Sequence, residues 1–493
     1  MRPSTFRRAI AVALTLALMP LSSGCDGSSE GELKVAVIGP APKVADPAAG
    51  PLSASDAVLL QNVAQGLVRF NAHGQIEAGL AERWNVSDDG LSYIFRLAAQ
   101  QWPSGRKITA QQVARILRRN LASSSNNPLK ETLGAVDEIV AMTDRVLEIR
   151  LAAPRPNLLQ LLAQPELALV HEGEGSGPFT IAGRNGREVR LQREVEALDE
   201  DEARREQLTL QGADVASAVR GFVAGDVDLV LGGTFADLPV ARQAKLPRGA
   251  LQFDPVAGLF GLVPARSSGP AADADLRRLL TQAIDRDALI ASFDVPGLVG
   301  RATLLEAGLD GVPGPVVPAW MGVEFGERRP SLISAADTLF GGEERPTIRL
   351  ALPEGPGGEL LLGRLREDWG MLGLKVERAA AGSPADFRLI EAVAPSTSPA
   401  WFLRQFLCDE RPICSEDADE LLEAARAAPV PAQRAALLAE AARVMEEAQL
   451  FLPIAAPIRW SLVSNRIEGF TGNRFARHTL TELEETLARE GAD

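Results

Sequence analysis

Apolar and polar residues alternate from Glu32 to Ile38, with Leu33, Val35 and Val37 on one side and Glu32, Lys34 and Ala36 on the other, until Gly39-Pro40 stops the run. A period of two followed by those two residues predicts a strand and its terminator. From Asp56 to Leu67 the period lengthens, and Leu59, Leu60, Val63 and Leu67 fall on one helical stripe. Gly79 to Leu97 reads as an amphipathic segment, a turn and a strand. Asp88-Asp89-Gly90 is the turn, where glycine accepts a positive φ without steric cost, and Tyr93, Phe95 and Leu97 then share one face. Thr109 and Gln112 have the spacing of a capping box, opening a helix that carries Val113, Ile116, Leu117 and Leu121. Arg145 to Leu151 alternates again as a strand.

The same alternation of periods continues downstream. A helix ending near Gly225 leads into the strand Val227 to Leu231, and leucines at helical spacing fill Leu276 to Arg286, where Asp285 can cap a following helix to Phe293. Gly297 to Pro330 is dense in glycine and proline and predicts a long irregular segment. Beyond it come a strand at Thr347 to Leu352, a helix from Glu359 to Leu372 closed by Gly373, and a strand at Leu374 to Glu377. Two helices, Asp417 to Ala428 and Pro431 to Gln449, precede apolar strand material from Phe451 to Trp460 and at Ile467 to Phe470. Strands alternating with helices in two blocks, parted near Pro255 to Val263, predict an α/β chain with two lobes.

Several pieces stand in a telling order: Asp46-Pro47, Gln65-Gly66-Leu67-Val68-Arg69-Phe70 at a predicted helix end, the Trp84 to Leu97 unit, Trp102-Pro103-Ser104-Gly105, and Ile108 to Val113. Gly175-Ser176-Gly177-Pro178-Phe179, Ala283-Ile284-Asp285-Arg286 and the helix–Gly373–strand unit follow. This series resembles the solute-binding proteins of peptide-type ABC importers, the extracytoplasmic solute-binding protein family 5, over nearly the whole length. The resemblance implies a two-lobed periplasmic-binding-protein-like fold of the large peptide-binding type, with an extra subdomain in the N-terminal lobe. The expected limits are a first lobe over 33–260 with an inserted subdomain about 55–175, a second lobe over 261–455, and a return of 456–493 to the first lobe.

Composition adds compartment and partners. Of 493 residues, 46% are hydrophobic and 24% charged, enough apolar material for two or three cores in an ordinary soluble chain. Arg2, Arg7 and Arg8, the apolar run Ala9 to Leu21, and Ser22-Ser23-Gly24-Cys25 follow the order of a secretory signal over 1–24. The small residues before Cys25 resemble a lipobox, which implies lipidation of Cys25, an anchor in the cell membrane, and a flexible tether over 25–32. The formal charge of −14 and the lack of a basic stripe argue against nucleic acid. With Cys25 lipidated, Cys408 and Cys414 remain to pair in an oxidising compartment. A metal site is the alternative, but His73, His171 and His478 are scattered, and no metal or other cofactor is expected.

The common hydrolytic, phosphoryl-transfer and metalloprotease signatures are absent, so a non-enzymatic chain is expected. The glycines before Phe179 do not form a dinucleotide loop, because Pro178 occupies the third-glycine place and a strand follows. Glu416-Asp417 with Asp419-Glu420 reads as an acidic helix start and Glu194 to Gln207 as a solvated face. The resemblance implies ligand contacts at Gln65, at Trp401 and Arg404, and at Arg459 and Trp460, in a monomer serving an ABC permease. Two departures bear on cargo. Peptide-binding relatives hold the α-ammonium with an aspartate where this chain has Val393 to Pro399 without a carboxylate, and Gln65 replaces their glutamate. An ammonium buried without a counter-charge costs several kcal/mol, so an uncharged, N-blocked or anionic solute is expected. A degenerate binding protein acting as envelope sensor or scaffold is the alternative, and an envelope hydrolase a more distant one.

Overall fold

The computed structural model describes residues 32–195 and 204–485. The expected signal segment, Cys25, nearly all of the tether and 196–203 of the acidic run lie outside the described residues.

Two sheets organise the chain. The larger has seven strands in the order Thr180–Asn185, Glu188–Val195, Arg204–Ala213, Leu33–Ile38, Leu229–Thr234, Arg459–Val463 and Leu251–Phe253. Leu33–Ile38 lies at its centre, parallel to both neighbours, and its apolar residues Val35 and Val37 are fully buried. The smaller sheet runs Lys375–Arg378, Thr347–Ala351, Phe387–Val393, Gly258–Pro264 and Leu452–Ala455. A four-stranded antiparallel sheet, Ala81–Val86, Ser92–Leu97, Val146–Leu151 and Val136–Thr143, forms a separate layer under the helix Ala110–Leu121. Tyr93, Phe95 and Leu97 are buried there, and Thr109 and Gln112 make the reciprocal capping bonds that their spacing predicts.

The chain crosses between the two main sheets twice, side by side: from Leu251–Phe253 into Gly258–Pro264, and from Leu452–Ala455 back into Arg459–Val463. The Asp254 amide donates to the Arg459 carbonyl at 3.0 Å, tying the two crossings together. Beside them Phe235 of the first lobe packs on Phe260 of the second, with centroids 4.9 Å apart. Arg286, from the Ile284-Asp285-Arg286 run, is buried and donates to the Pro453 carbonyl at 2.6 Å, while Asp285 caps its helix through the Ala288 amide. That stretch therefore fixes the second crossing strand to the helical layer behind it.

Two local expectations are corrected. The first helix spans Ala54–Val63 and stops before Leu67, and Val68–Phe70 is a strand paired with Ile76–Ala78. Gly66 lies so close to the Leu162 carbonyl that a Cβ there would stand 2.4 Å from it, so the chain leaves the helix to pass under its neighbour. The irregular segment after Gly297 ends earlier than expected, because Phe325–Phe340 is a helix containing Pro330. Pro330 sits on the exposed side, where the carbonyl it leaves unbonded can be hydrated, while Leu332 and Ala336 are buried on the other. The two ends of the acidic run lie on paired strands and keep Glu194, Arg205 and Gln207 exposed, as a solvated face does.

Candidate functional site

A cavity of ≈ 310 Å³ opens between the lobes above the two crossings. The first lobe supplies Ala54, Ala57, Val58 and Gln61 from the helix Ala54–Val63, and Leu231 to Thr234 from the end of a central strand. The second lobe faces them with Val393, Ala394 and Pro395, where its own strand Phe387–Val393 ends. Asp254, Arg459, Trp460 and Ser461 come from the crossings, and Phe475 to His478 from the tail. Strand ends at a topological crossing are where open α/β sheets expose polar backbone to a ligand.

The aromatic wall is Trp460. It is 1% exposed overall, lies against Gly233, and donates its indole Nε1–H to the Thr234 carbonyl at 2.8 Å. Arg459 forms an ion pair with Glu391, a residue of the smaller sheet, so this pair spans the two lobes. Burial pushes the Glu391 carboxyl up from its ordinary range, and the Arg459 guanidinium opposes that shift. The two oxygens of Asp254 are occupied by the Asn473 amide at 2.9 Å and by His478 Nε2 at 3.2 Å. Arg477 donates to Gln164 at 2.9 Å and to Glu166 at 2.8 Å. Among the described residues, each charged side chain lining the cavity thus already has a hydrogen-bond or ion-pair partner. Gln61, Gln164, Thr234 and Ser461 are the uncharged polar side chains of the wall.

Closure has named contacts. Gln164 Nε2 donates to the Pro395 carbonyl at 2.7 Å, Asn157 Nδ2 to Ser396 Oγ at 2.9 Å, and the Thr397 amide to Gln160 Oε1 at 2.8 Å. The short helix Leu158–Leu162 and its flanks therefore grip the loop that follows the second-lobe strand.

The residues expected from sequence fall in different places. Arg459 and Trp460 meet in this cavity. Gln65 is buried beside it, in a pocket of only ≈ 10 Å³, and its Nε2 donates to the Ser176 carbonyl at 2.7 Å. Trp401 does not line the cleft: it packs edge-on against Phe402 in the second-lobe core, with centroids 5.1 Å apart. Arg404 lines a second, smaller cavity elsewhere between the lobes. A disulfide joins Cys408 to Cys414. Among the described residues no cluster of histidine, cysteine and carboxylates is arranged to hold a metal ion, and no helix is long and apolar enough to cross a membrane.

Residues 75–311 match the family model described as bacterial extracellular solute-binding proteins, family 5 Middle. The middle of the chain thus matches the family 5 solute-binding proteins. The chain is 23% identical over 273 residues to the oligopeptide-binding protein OppA of Bacillus subtilis, a match covering 48% of this chain and 50% of that one. The chain thus spans about half the length of that curated relative. The Escherichia coli murein tripeptide binding protein MppA has a similar structure, with a TM-score of 0.77 at 17% identity over 93% of this chain and 99% of MppA. Haemophilus influenzae OppA, solved with the peptide RPPGFSPFR, gives 0.75 at 15% identity over 92% and 99% of the two chains. At these identities the structural likeness is one of fold, the two-lobed periplasmic-binding-protein type.

Asp254, Gln164, Arg477 and His478 are among the cavity residues that sequence reasoning missed. Asp254 had a visible signal, since it directly precedes Pro255, where the two α/β blocks part. The others had none: Gln164 lies in a short connection, and Arg477 and His478 lie in a tail without period.

Proposed function

We propose that this protein is the solute-binding component of an ABC importer, held outside the cytoplasm by a lipid on Cys25, which captures a small solute between its lobes and presents it to a membrane permease. The observation that carries this reading is the cavity itself: both lobes line it, both crossings floor it, and polar bonds between the lobes shut it. Such an arrangement suits capture by hinge closure around a ligand. The proposed lobe limits are 33–260 with an inserted subdomain about 55–175, 261–455, and a tail from 456 that returns to the first lobe. The family match supports a binding rather than an enzymatic role.

A volume of ≈ 310 Å³ lies at the lower end of ligand pockets, which run from roughly 300 to 1,000 Å³, and favours a short peptide-like solute. Its charge follows from the wall. Glu391 is paired with Arg459, both oxygens of Asp254 already have hydrogen-bond partners in the Asn473 amide and His478, and Val393 to Pro395 offer no carboxylate, so an α-ammonium meets no carboxylate without a partner. We assign an uncharged, N-blocked or anionic cargo. Native mass spectrometry of the mature protein purified from its host should carry a discrete adduct that is lost on denaturation. Calorimetry with a tripeptide and its N-acetylated form should show the acetylated form binding at least as tightly. Tight binding of free tripeptide that acetylation abolishes would overturn the cargo assignment, and the absence of any saturable solute would favour a sensor or scaffold.

A further inference from the structure

The second cavity, of ≈ 40 Å³, lies where the four-stranded subdomain of the first lobe meets the helices Glu416–Ala427 and Pro431–Glu447 of the second, and it shares no lining residue with the cargo cavity. Four guanidinium groups converge on it: Arg155 from the subdomain, and Arg404, Arg426 and Arg434 from the second lobe. In a chain of net charge −14 this is a local reversal of sign. Asp310 adds attraction at Arg434 and Asp419 at Arg404, but the carboxylates in direct contact with the cluster are exposed. Glu131 is 3.4 Å from Arg404 but 64% exposed, and Glu423 is 3.6 Å from Arg426 but 69% exposed.

The guanidiniums are under-satisfied as well as crowded. Arg155 is buried and donates to the carbonyls of Pro154 and Arg426, at 2.8 and 2.9 Å. Arg426 donates to the Gly134 carbonyl at 3.0 Å. The Nε of Arg434 is buried and has no hydrogen-bond partner among the described residues. Burial, together with the nearby Arg434 and Arg426, pulls the Arg155 guanidinium down to about 10, and burial lowers Arg404 and Arg434 too. Like charges gathered in a partly dry seam repel one another strongly unless a counter-ion sits between them.

We propose that this cavity binds one tetrahedral oxyanion, of the phosphate or sulfate class, which bridges the two lobes independently of cargo. Size and geometry select that class. A water occupies about 10–15 Å³ on this measure, so the cavity takes a few waters or one compact anion and no bulky ester. Guanidinium forks match the oxygens of such an anion. Because Arg155 lies on one lobe and Arg404, Arg426 and Arg434 on the other, the anion binds the closed arrangement and stabilises it by an amount that grows with the logarithm of free anion above Kd.

Calorimetric titration of the mature protein with sodium phosphate and sodium sulfate, in a chloride background at constant ionic strength, tests this. The expected result is one saturable site per chain, weakened about tenfold or more in Arg434→Met and tightened in Glu131→Gln, where the competing carboxylate is gone. No saturable heat from either anion overturns the proposal, as does a folded Arg434→Met variant that binds like the parent. Should Arg434→Met not fold, Glu131→Gln decides: tighter binding supports the site, and unchanged binding overturns it.

Discussion

The indole of Trp460 rests directly on the backbone of Gly233, its partner across the antiparallel strands Leu229–Thr234 and Arg459–Val463, and a Cβ at 233 would stand 2.2 Å from two ring atoms. Only glycine leaves room for the ring that walls the cavity, and the bond from Nε1 to the Thr234 carbonyl fixes the ring's orientation. Gly233→Ala should therefore displace the indole. Overpacking of this kind costs about 1–3 kcal/mol, and the co-purified cargo should bind at least about tenfold more weakly. Thermal unfolding and calorimetry read the two effects, and a variant unchanged in both would show that the wall does not depend on this contact.

Arg459 and Glu391 form an ion pair across the lobes, with side chains 19% and 12% exposed. Removing one partner of so enclosed a pair leaves the other charge without compensation, a loss of about 3–5 kcal/mol, whereas removing both is milder. Arg459→Met and Glu391→Gln should each lower the urea midpoint, and the double variant should lose less than the sum of the singles. Additive losses would mean that the two groups are not coupled.

Gln164 touches both sides of the cleft at once, donating to the Pro395 carbonyl and accepting from Arg477. Gln164→Leu removes both bonds and should shift the population toward an open form. Small-angle scattering of the cargo-free variant should give a larger radius of gyration than that of the parent, with cargo affinity reduced. An equal radius together with equal affinity would mean that closure rests on other contacts.

The α/β order, the two blocks and the capping box were legible because each is local: a period, a turn residue, a cap three residues away. Arg459 and Trp460 were named from the family resemblance rather than from a local pattern, and the structure places both at the interlobe cavity. Trp401 shows the limit, since an exposed-looking aromatic among prolines packs inward, beside Phe402 of its own helix Pro399–Arg404, in the second-lobe core. The helix Phe325–Phe340 stayed hidden because Pro330 reads as a stop, although one tertiary face suffices to hold it. Gln164 and Arg477 are separated by 313 residues, and no local pattern reports such a contact.

Asp368 gives the fold a pH dependence whose sign is unusual for a carboxylate. On the helix Pro356–Gly370 it is 4% exposed and accepts the Asp285 amide at 3.0 Å, with Arg364 at 3.9 Å and Asp285 and Glu367 adding negative charge nearby. Burial is the main cause that raises its pKa from 3.8 to about 7, against the opposing pull of the Asp285 amide and Arg364. Between those two values the folded state holds a proton that the unfolded state has released. This group's contribution is therefore fully present below about pH 4, falls as pH rises toward about 7, and is flat above that. Asp368→Asn keeps an acceptor for the Asp285 amide and removes the titration. The variant should melt higher than the parent at pH 8, by a gain of roughly 1–3 kcal/mol, and the advantage should shrink steadily as the pH is lowered to 5. Calorimetric melts across pH 5–8 measure the difference, and parallel curves for the two proteins would return Asp368 to the ordinary carboxylate range.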